Sequence, residues 1–326
     1  MDYYKSRDIS NSSLSYINPE QEGSAQKYYK YLNGELDSLE SKALELGSLI
    51  HQYKLEPEQF NALSIDMPSA TIKTIIDNLL ASSQGQPIEY LQEQILEQAK
   101  EVGYGGKWKD DTVINKIIES GKEYYEAVTA NTGKQLVDHT TLNTLYQCTT
   151  ALNRNTAARD LLEASSNEFI EWVNEKEIYF EMPIPGTERT IKCRSKIDRF
   201  AVNREKKTFT LVDLKTTSKH ISKYAGAFDY YRTYRQLSFY IRAIQSLLGP
   251  EYKCEACYIV AVMTVEPYLC RVFKIDPADN YITKGNDEID SLITRIDYHH
   301  SVGNWVDDME DIQNPNQFIL SLTDDQ

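Results

Sequence analysis

Long apolar runs are missing from this sequence. Nothing approaches the roughly 18 consecutive apolar residues that a membrane span requires, so no membrane partner is expected. The opening MDYYKSRDISNSSLSYI lacks the basic-then-apolar layout of a signal peptide, which leads to the expectation of a cytoplasmic protein. Cysteine is scarce: Cys148, Cys193, Cys254, Cys257 and Cys270 are five in 326 residues. An odd, sparse set argues against a disulfide framework and for reduced thiols. Basic charge is also in deficit, with 35 Lys and Arg against 49 Asp and Glu, a net −14. Taken whole, that balance speaks against a nucleic-acid partner. What is present is enough apolar material, 41% hydrophobic and 11% aromatic, to build a core and exclude global disorder.

The distribution of charge reverses the first impression. Residues 189–242 carry 14 Lys and Arg against 4 Asp and Glu, leaving 21 basic and 45 acidic residues for the remainder. A basic stretch in an acidic frame points to a focused anionic site. A solvated, charge-rich strand pair would leave the same trace.

Periodicity divides the chain. SKALELGSLIHQYKL has near-helical apolar spacing and ends before Pro57, because the residue before proline disfavours the α region. Residues 61–170 read as helices (ATIKTIIDNLLAS, PIEYLQEQILEQAK, DTVINKIIESGKEYYEAV, one from about Asp138 or Thr140, then TAARDLLEA), with YGGKWKDD a glycine-rich break. After Trp172 the texture changes. Segments 177–184, 190–202 and 207–214 alternate and are rich in β-branched and aromatic residues, as strands are. FDYYRTYRQLSFYIRAIQSLLGP returns to helical spacing and stops at Gly249-Pro250; ACYIVAVMTV and YLCRVFKI predict two more strands before an acidic, frayed tail. The order is that of an α/β domain decorated by helices.

The chemistry concentrates in RSKIDRFAVNREKKTFTLVDLKTT. A hairpin turn centred between Glu205 and Lys206 sets Asp198 opposite Asp213, and opposed Cβ atoms lie roughly 4.5–5.5 Å apart. Lys215, two residues on, shares a face with Asp213. Leu214 points the other way, into apolar packing, with its backbone carbonyl available beside the carboxylates as a further metal ligand. Two carboxylates this close repel unless a cation lies between them, and hard oxygen donors suit Mg²⁺ or Mn²⁺. Lys215 is suited to stabilising an attacking hydroxide and offsetting phosphate charge. An isolated D-x-K on a strand is more often a solvated acid with a salt-bridge partner. The apolar TFTLV leading into it, and Ile197 beside Asp198, place this one at the edge of a core. On the next helix Gln236 and Tyr240 share a face, with Arg232 and Arg235 nearby to meet a phosphate backbone. Arg194 and Lys196 are further candidate backbone contacts, and Thr216 and Thr217 candidate donors to a phosphate.

Asp198, then Asp213-Leu214-Lys215, then Gln236-x-x-x-Tyr240 resemble the second, third and fourth motifs of PD-(D/E)XK exonucleases of the RecE, lambda-exonuclease and RecB-nuclease kind. Gly47-x-x-x-His51, followed by KLEPEQF, resembles their upstream motif. ISNSSLSYI, GKQLVDHTTLNTLYQCTTALNRNTAARDLL and VEPYLCRVF agree as well, whereas residues 61–130 match no family pattern. The resemblance implies a restriction-endonuclease-like α/β core, a central mixed β-sheet flanked by helices, plus a helical N-terminal and inserted region. One nuclease domain would span 1–326, with 61–170 a largely helical insertion and 177–280 the catalytic sheet and motif helix. Asp198, Asp213 and His51 would be metal ligands, Glu177 a further acidic ligand, Lys215 the catalytic lysine, and Gln236 with Tyr240 would hold the site or the DNA. A lone histidine on an apolar helix is more often packed or exposed than ligating; the resemblance reverses that preference for His51. The adjacent His299-His300 reads as a surface feature.

Some relatives hold an iron–sulfur cluster, and Cys254-x-x-Cys257 with Cys270 superficially has ligand spacing. Two of these fall in predicted strands and no cysteine precedes Cys148, so no cluster is expected. The implied activity is metal-dependent exonuclease action on linear DNA, in a phage or prophage setting (hence host cytoplasm), with a single-strand annealing protein and homo-oligomers among implied partners. Endonucleolytic or end-trimming action on the same site, action on RNA, and a non-catalytic DNA-binding platform remain open on sequence alone.

Overall fold

The period-two alternation of residues 170–217 becomes three long antiparallel strands in the computed structural model, which describes residues 3–36, 41–81, 83, 85–130, 133–306 and 308–313. In chain order the strands are β1 (Ala62–Ile65), β2 (Gln135–Asp138), β3 (Ile170–Pro183), β4 (Thr190–Asn203), β5 (Thr208–Thr217), β6 (Lys253–Met263) and β7 (Cys270–Ile275). The last five form one mixed sheet in the order β3-β4-β5-β6-β7, with β5 and β6 parallel and the other neighbours antiparallel. The chain divides into two compact units, residues 57–149 and the remainder.

In the larger unit, parallel pairing of β5 and β6 requires a crossover, and the segment read as one helix supplies it as two, Tyr224–Tyr230 and Thr233–Leu248. Arg232, in the left-handed region at φ 54°, separates them. The second helix buries Tyr234, Leu237, Phe239 and Ile244 against Phe200, Phe209 and Leu211 of the sheet, and the final helix Asn280–Val302 adds Ile289, Ile293 and Ile296 to the same core. The N-terminal ISNSSLSYI joins that core through Ile9, Leu14 and Ile17. Ser10 and Ser13 bond reciprocally to each other's backbone N–H at 3.2 and 2.8 Å, a capping box that fixes the start of the Asn11–Leu14 helix.

The β4–β5 ladder runs Arg199↔Val212, Phe200↔Leu211 and Ala201↔Thr210, the register expected from a turn between Glu205 and Lys206. Phe209 and Leu211 are core residues on the face of β5 that carries Asp213 and Lys215 further along. That apolar floor beneath two ionisable groups positions the site. Between β3 and β4 the ladder passes from Lys176↔Ile197 to Asn174↔Arg199, and Glu175 sits at φ 45°. At this break the core-facing parity changes, from Ile178, Phe180 and Met182 to Val173.

The smaller unit packs helices Ala70–Leu80, Gln92–Glu101 and Asp110–Thr129 around Ile75, Ile76, Ile95, Ile117 and Tyr125. The short parallel strands β1 and β2 pair within it; four-residue strands leave too little alternation to be read from sequence. No described helix is long and apolar enough to cross a membrane. The tail expected to fray, from residue 314, lies outside the described residues.

Candidate active site

The helix Lys42–Leu55 carries Gly47 and His51 one turn apart, hence on one face. A methyl group at Gly47 would just touch Thr216 Oγ1 at 3.4 Å, so the helix passes close to the end of β5. His51 Nε2 lies 2.9 Å from the Leu214 carbonyl. With Nε2–H donating there, Nδ1 is left as the lone-pair nitrogen, and it faces Glu175 Oε1 at 3.5 Å and Asp198 Oδ2 at 3.8 Å. One ligand atom from each of His51, Glu175 and Asp198 lies within 4.8 Å of the others. Asp198 Oδ2 also accepts from the Leu214 N–H at 2.8 Å. Both polar groups of the Leu214 peptide therefore hold members of the cluster.

Asp213 is fully buried, and Lys215 Nζ donates to its Oδ1 at 2.9 Å. On the covering helix, Gln236 Nε2 donates to Tyr240 Oη at 2.7 Å. Electrostatics separate the roles. Burial pushes the Asp213 carboxyl up to about 6, against the pull of Lys215 and with a further push from Asp198. Burial draws the Lys215 ammonium down, but Asp213 and Asp198 outweigh it, so the lysine stays charged at neutral pH. Burial likewise lowers His51, yet Asp198 and Glu175 carry it above its ordinary value. Burial, reinforced by both aspartates, holds the Tyr240 phenol protonated.

A divalent cation fits this donor set. Glu175 Oε1 and Asp213 Oδ2 are buried side-chain oxygens without a hydrogen-bond partner, which is costly unless something else satisfies them. One imidazole nitrogen with carboxylate oxygens is a hard-to-borderline set of the kind Mg²⁺ or Mn²⁺ accepts.

The sequence-predicted residues sort unevenly. His51, Asp198, Asp213, Leu214, Lys215, Gln236 and Tyr240 converge. Asp213 is not in the three-residue ligand group; its Oδ1 is engaged by Lys215, and the Leu214 carbonyl, expected to face a metal, is engaged by His51. Glu177 is exposed opposite Lys196, and Glu175 holds the place expected of it. Glu175-Lys176-Glu177 offered two acids of one parity; the left-handed break at Glu175, which sequence does not announce, selects between them.

The candidate phosphate contacts need correction. Arg194 is buried and donates to the carbonyls of Tyr3 and Asp8. Arg235 is 1% exposed, ion-paired with Glu288 at 2.8 Å and bonded to Asn11 and Ser15. Both are internal struts. Arg232 is engaged by Glu20 and Tyr234. Lys196 pairs with Glu175 Oε2 at 3.0 Å on the rim of the cluster, and Thr216 and Thr217 stand half-buried just past Lys215. His299, expected at the surface, is fully buried and stacked on Trp305 at 5.2 Å.

A mixed sheet whose central hairpin brings carboxylates and a lysine to one face, backed by a helix bearing Gln-x-x-x-Tyr, defines the PD-(D/E)XK nuclease class. The chain belongs to the family described as a PDDEXK-like domain of unknown function (DUF3799), whose model matches residues 12–313. Among solved structures it is similar to a Eubacterium rectale protein provisionally named an exonuclease, with 11% identity, TM-score 0.46, and 92% of this chain and 84% of that one covered. It is also similar to SSO0001, with 13% identity, TM-score 0.25, and coverage of 75% and 85%. At these scores neither adds to the argument from the family and the site. No curated protein matches it in sequence.

Proposed function

We propose that the protein is a divalent-metal-dependent exonuclease on linear, double-stranded DNA, with His51, Glu175, Asp198 and Asp213 holding the metal. The observation that carries this reading is the convergence of His51 Nδ1, Glu175 and Asp198 within 4.8 Å, beside the buried Asp213–Lys215 pair. When bound, Mg²⁺ or Mn²⁺ supplies Lewis acidity toward a phosphate oxygen and lowers the pKa of water. The chain's own residues do the rest. Lys215, held by Asp213 and charged at neutral pH, offsets the negative charge that builds on the phosphate as it becomes pentacoordinate. Leu214 orients His51 and Asp198 through its peptide N–H and carbonyl. Tyr240, a neutral phenol fixed by Gln236, positions the scissile phosphate. Lys196, Thr216 and Thr217 contact the backbone without reading bases, so binding weakens as salt rises. The phage-type recombination setting, with an annealing protein and homo-oligomers, belongs to the same reading through the family resemblance, as does a single nuclease domain with residues 61–170 as a helical insertion.

The test is nucleotide release from end-labelled linear duplex with Mg²⁺, Mn²⁺ or EDTA, beside covalently closed circles. Release from linear DNA alone, dependent on metal and lost in Lys215→Ala, is expected. Nicking of circles would turn the assignment to an endonuclease. DNA binding without any cleavage would turn it to a binding platform.

A further inference from the structure

Where β5 gives way to the crossover helices, the chain exposes two aromatic rings that its core does not use. Tyr230 is 71% and Tyr231 62% exposed, while Tyr224, Phe228 and Tyr234 of the same segment are buried. The two exposed rings meet edge to face, centroids 5.0 Å apart. Arg232 follows at φ 54° and turns the chain sharply into the helix of Gln236 and Tyr240. A non-glycine residue in that region is unfavourable unless its surroundings impose it; Glu20 and Tyr234 pin the Arg232 side chain and impose it here. The turn thus holds both tyrosines outward at the start of the helix that closes the site.

The surroundings are cationic. From Leu214 to Arg235 there are five Lys and Arg and a single acid, Asp229, which Lys284 neutralises at 3.1 Å. Lys219 Nζ lies 5.6 Å from the Tyr230 ring centre, and Lys219 and Lys223 are exposed. Lys219 is four residues beyond Lys215, a span of at most about 14 Å of extended chain. At the 3.4 Å rise of a strand in duplex DNA that is about four nucleotides, and fewer for an extended single strand. Exposed rings beside cations, a few nucleotides from a phosphodiester site, are the parts of a single-strand stacking surface.

We infer that Tyr230 and Tyr231 form a platform on which unpaired bases of a single-stranded DNA end stack while the adjoining strand enters the site. The inference rests on the nuclease reading for its substrate. It is tested by binding, with EDTA present to prevent cleavage. Two fluorescent oligonucleotides of equal length are compared, one of deoxythymidylate and one fully abasic, so that phosphate contacts are common to both. The wild-type protein should prefer the base-bearing strand by about 5- to 150-fold for each stacked base. Tyr230→Ala/Tyr231→Ala should lose that preference while binding the abasic strand as before. Tyr230→Phe/Tyr231→Phe, which keeps the rings, should retain it. Equal affinity of the wild type for both strands, or a preference surviving in the alanine pair, would overturn the platform. The two readings fail separately. Nucleotide release without base preference sinks the platform alone, and base preference without release sinks the nuclease alone.

Discussion

Replacing Asp198 by Asn removes one charge from the candidate metal cluster and almost nothing else. The amide oxygen can still accept from the Leu214 N–H, now 2.8 Å from Oδ2, so the β4–β5 register survives. The cluster holds Glu175 and Asp198 oxygens within 4.8 Å of each other and of His51. Two like charges at that distance repel by about 3 kcal/mol at an effective dielectric near 20, and a divalent cation converts the repulsion into attraction. A ligand present at 100 times its Kd stabilises the folded state by about 2.7 kcal/mol. For a chain of this size, at about 2 °C per kcal/mol, the wild-type Tm should rise by roughly 5 °C. In Asp198→Asn the rise at the same metal concentration should fall below about 1 °C. Glu175→Gln should behave alike, whereas Glu177→Gln, on the exposed side of β3, should keep the full shift. Thermal unfolding with and without Mn²⁺ reads all four proteins. A full metal shift in Asp198→Asn, or one lost in Glu177→Gln and kept in Glu175→Gln, refutes the assignment of ligands.

Three further outcomes follow from the same geometry. Metal affinity should fall with pH through a His51 pKa that lies above its ordinary value, since the protonated ring cannot ligate. Without metal the sign is opposite: a raised folded-state pKa stabilises the fold below the unfolded value of 6.5, and that stability is lost as pH rises through the folded one. Calorimetric titration with Mn²⁺ over pH 5.5–8 (from about one unit below the unfolded value to about one and a half above it, on the side of the raised folded one), and unfolding of the metal-free protein over the same range, check the pair. Arg235→Ala should destabilise by about 1.5–3 kcal/mol, the scale of hydrogen bonds to a charged group, because half-buried Glu288 keeps its donors Asn18 and Tyr234 but loses the guanidinium, as do the acceptors Asn11 and Ser15, yet leave the salt dependence of DNA binding unchanged; a shallower salt slope would mean the arginine does meet phosphate. Gly285→Ala should destabilise by about 1–3 kcal/mol through overpacking, its methyl lying 2.3 Å from Ser238 Oγ and 2.7 Å from the Tyr234 carbonyl. Denaturant unfolding measures it, and an unchanged midpoint would show that the Thr233–Leu248 and Asn280–Val302 helices can part at no cost.

What the sequence determined is what depends on neighbours along the chain. Alternation from 177 to 214 marked the strands, and the polar NREKK turn set the hairpin register that brings Asp198 toward Asp213. Period two put Lys215 beside Asp213, and a four-residue step put Gln236 beside Tyr240. What only the tertiary structure decided depends on approach across the chain. His51 reaches the Leu214 carbonyl from a helix 163 residues away. Glu175, not Glu177, meets it, because a left-handed residue breaks the β3 alternation at that point. Arg194 and Arg235 looked like phosphate contacts because charge is legible in sequence and burial is not. Their guanidinium groups are consumed by Tyr3, Asp8, Asn11, Ser15 and Glu288, which only folding brings within reach.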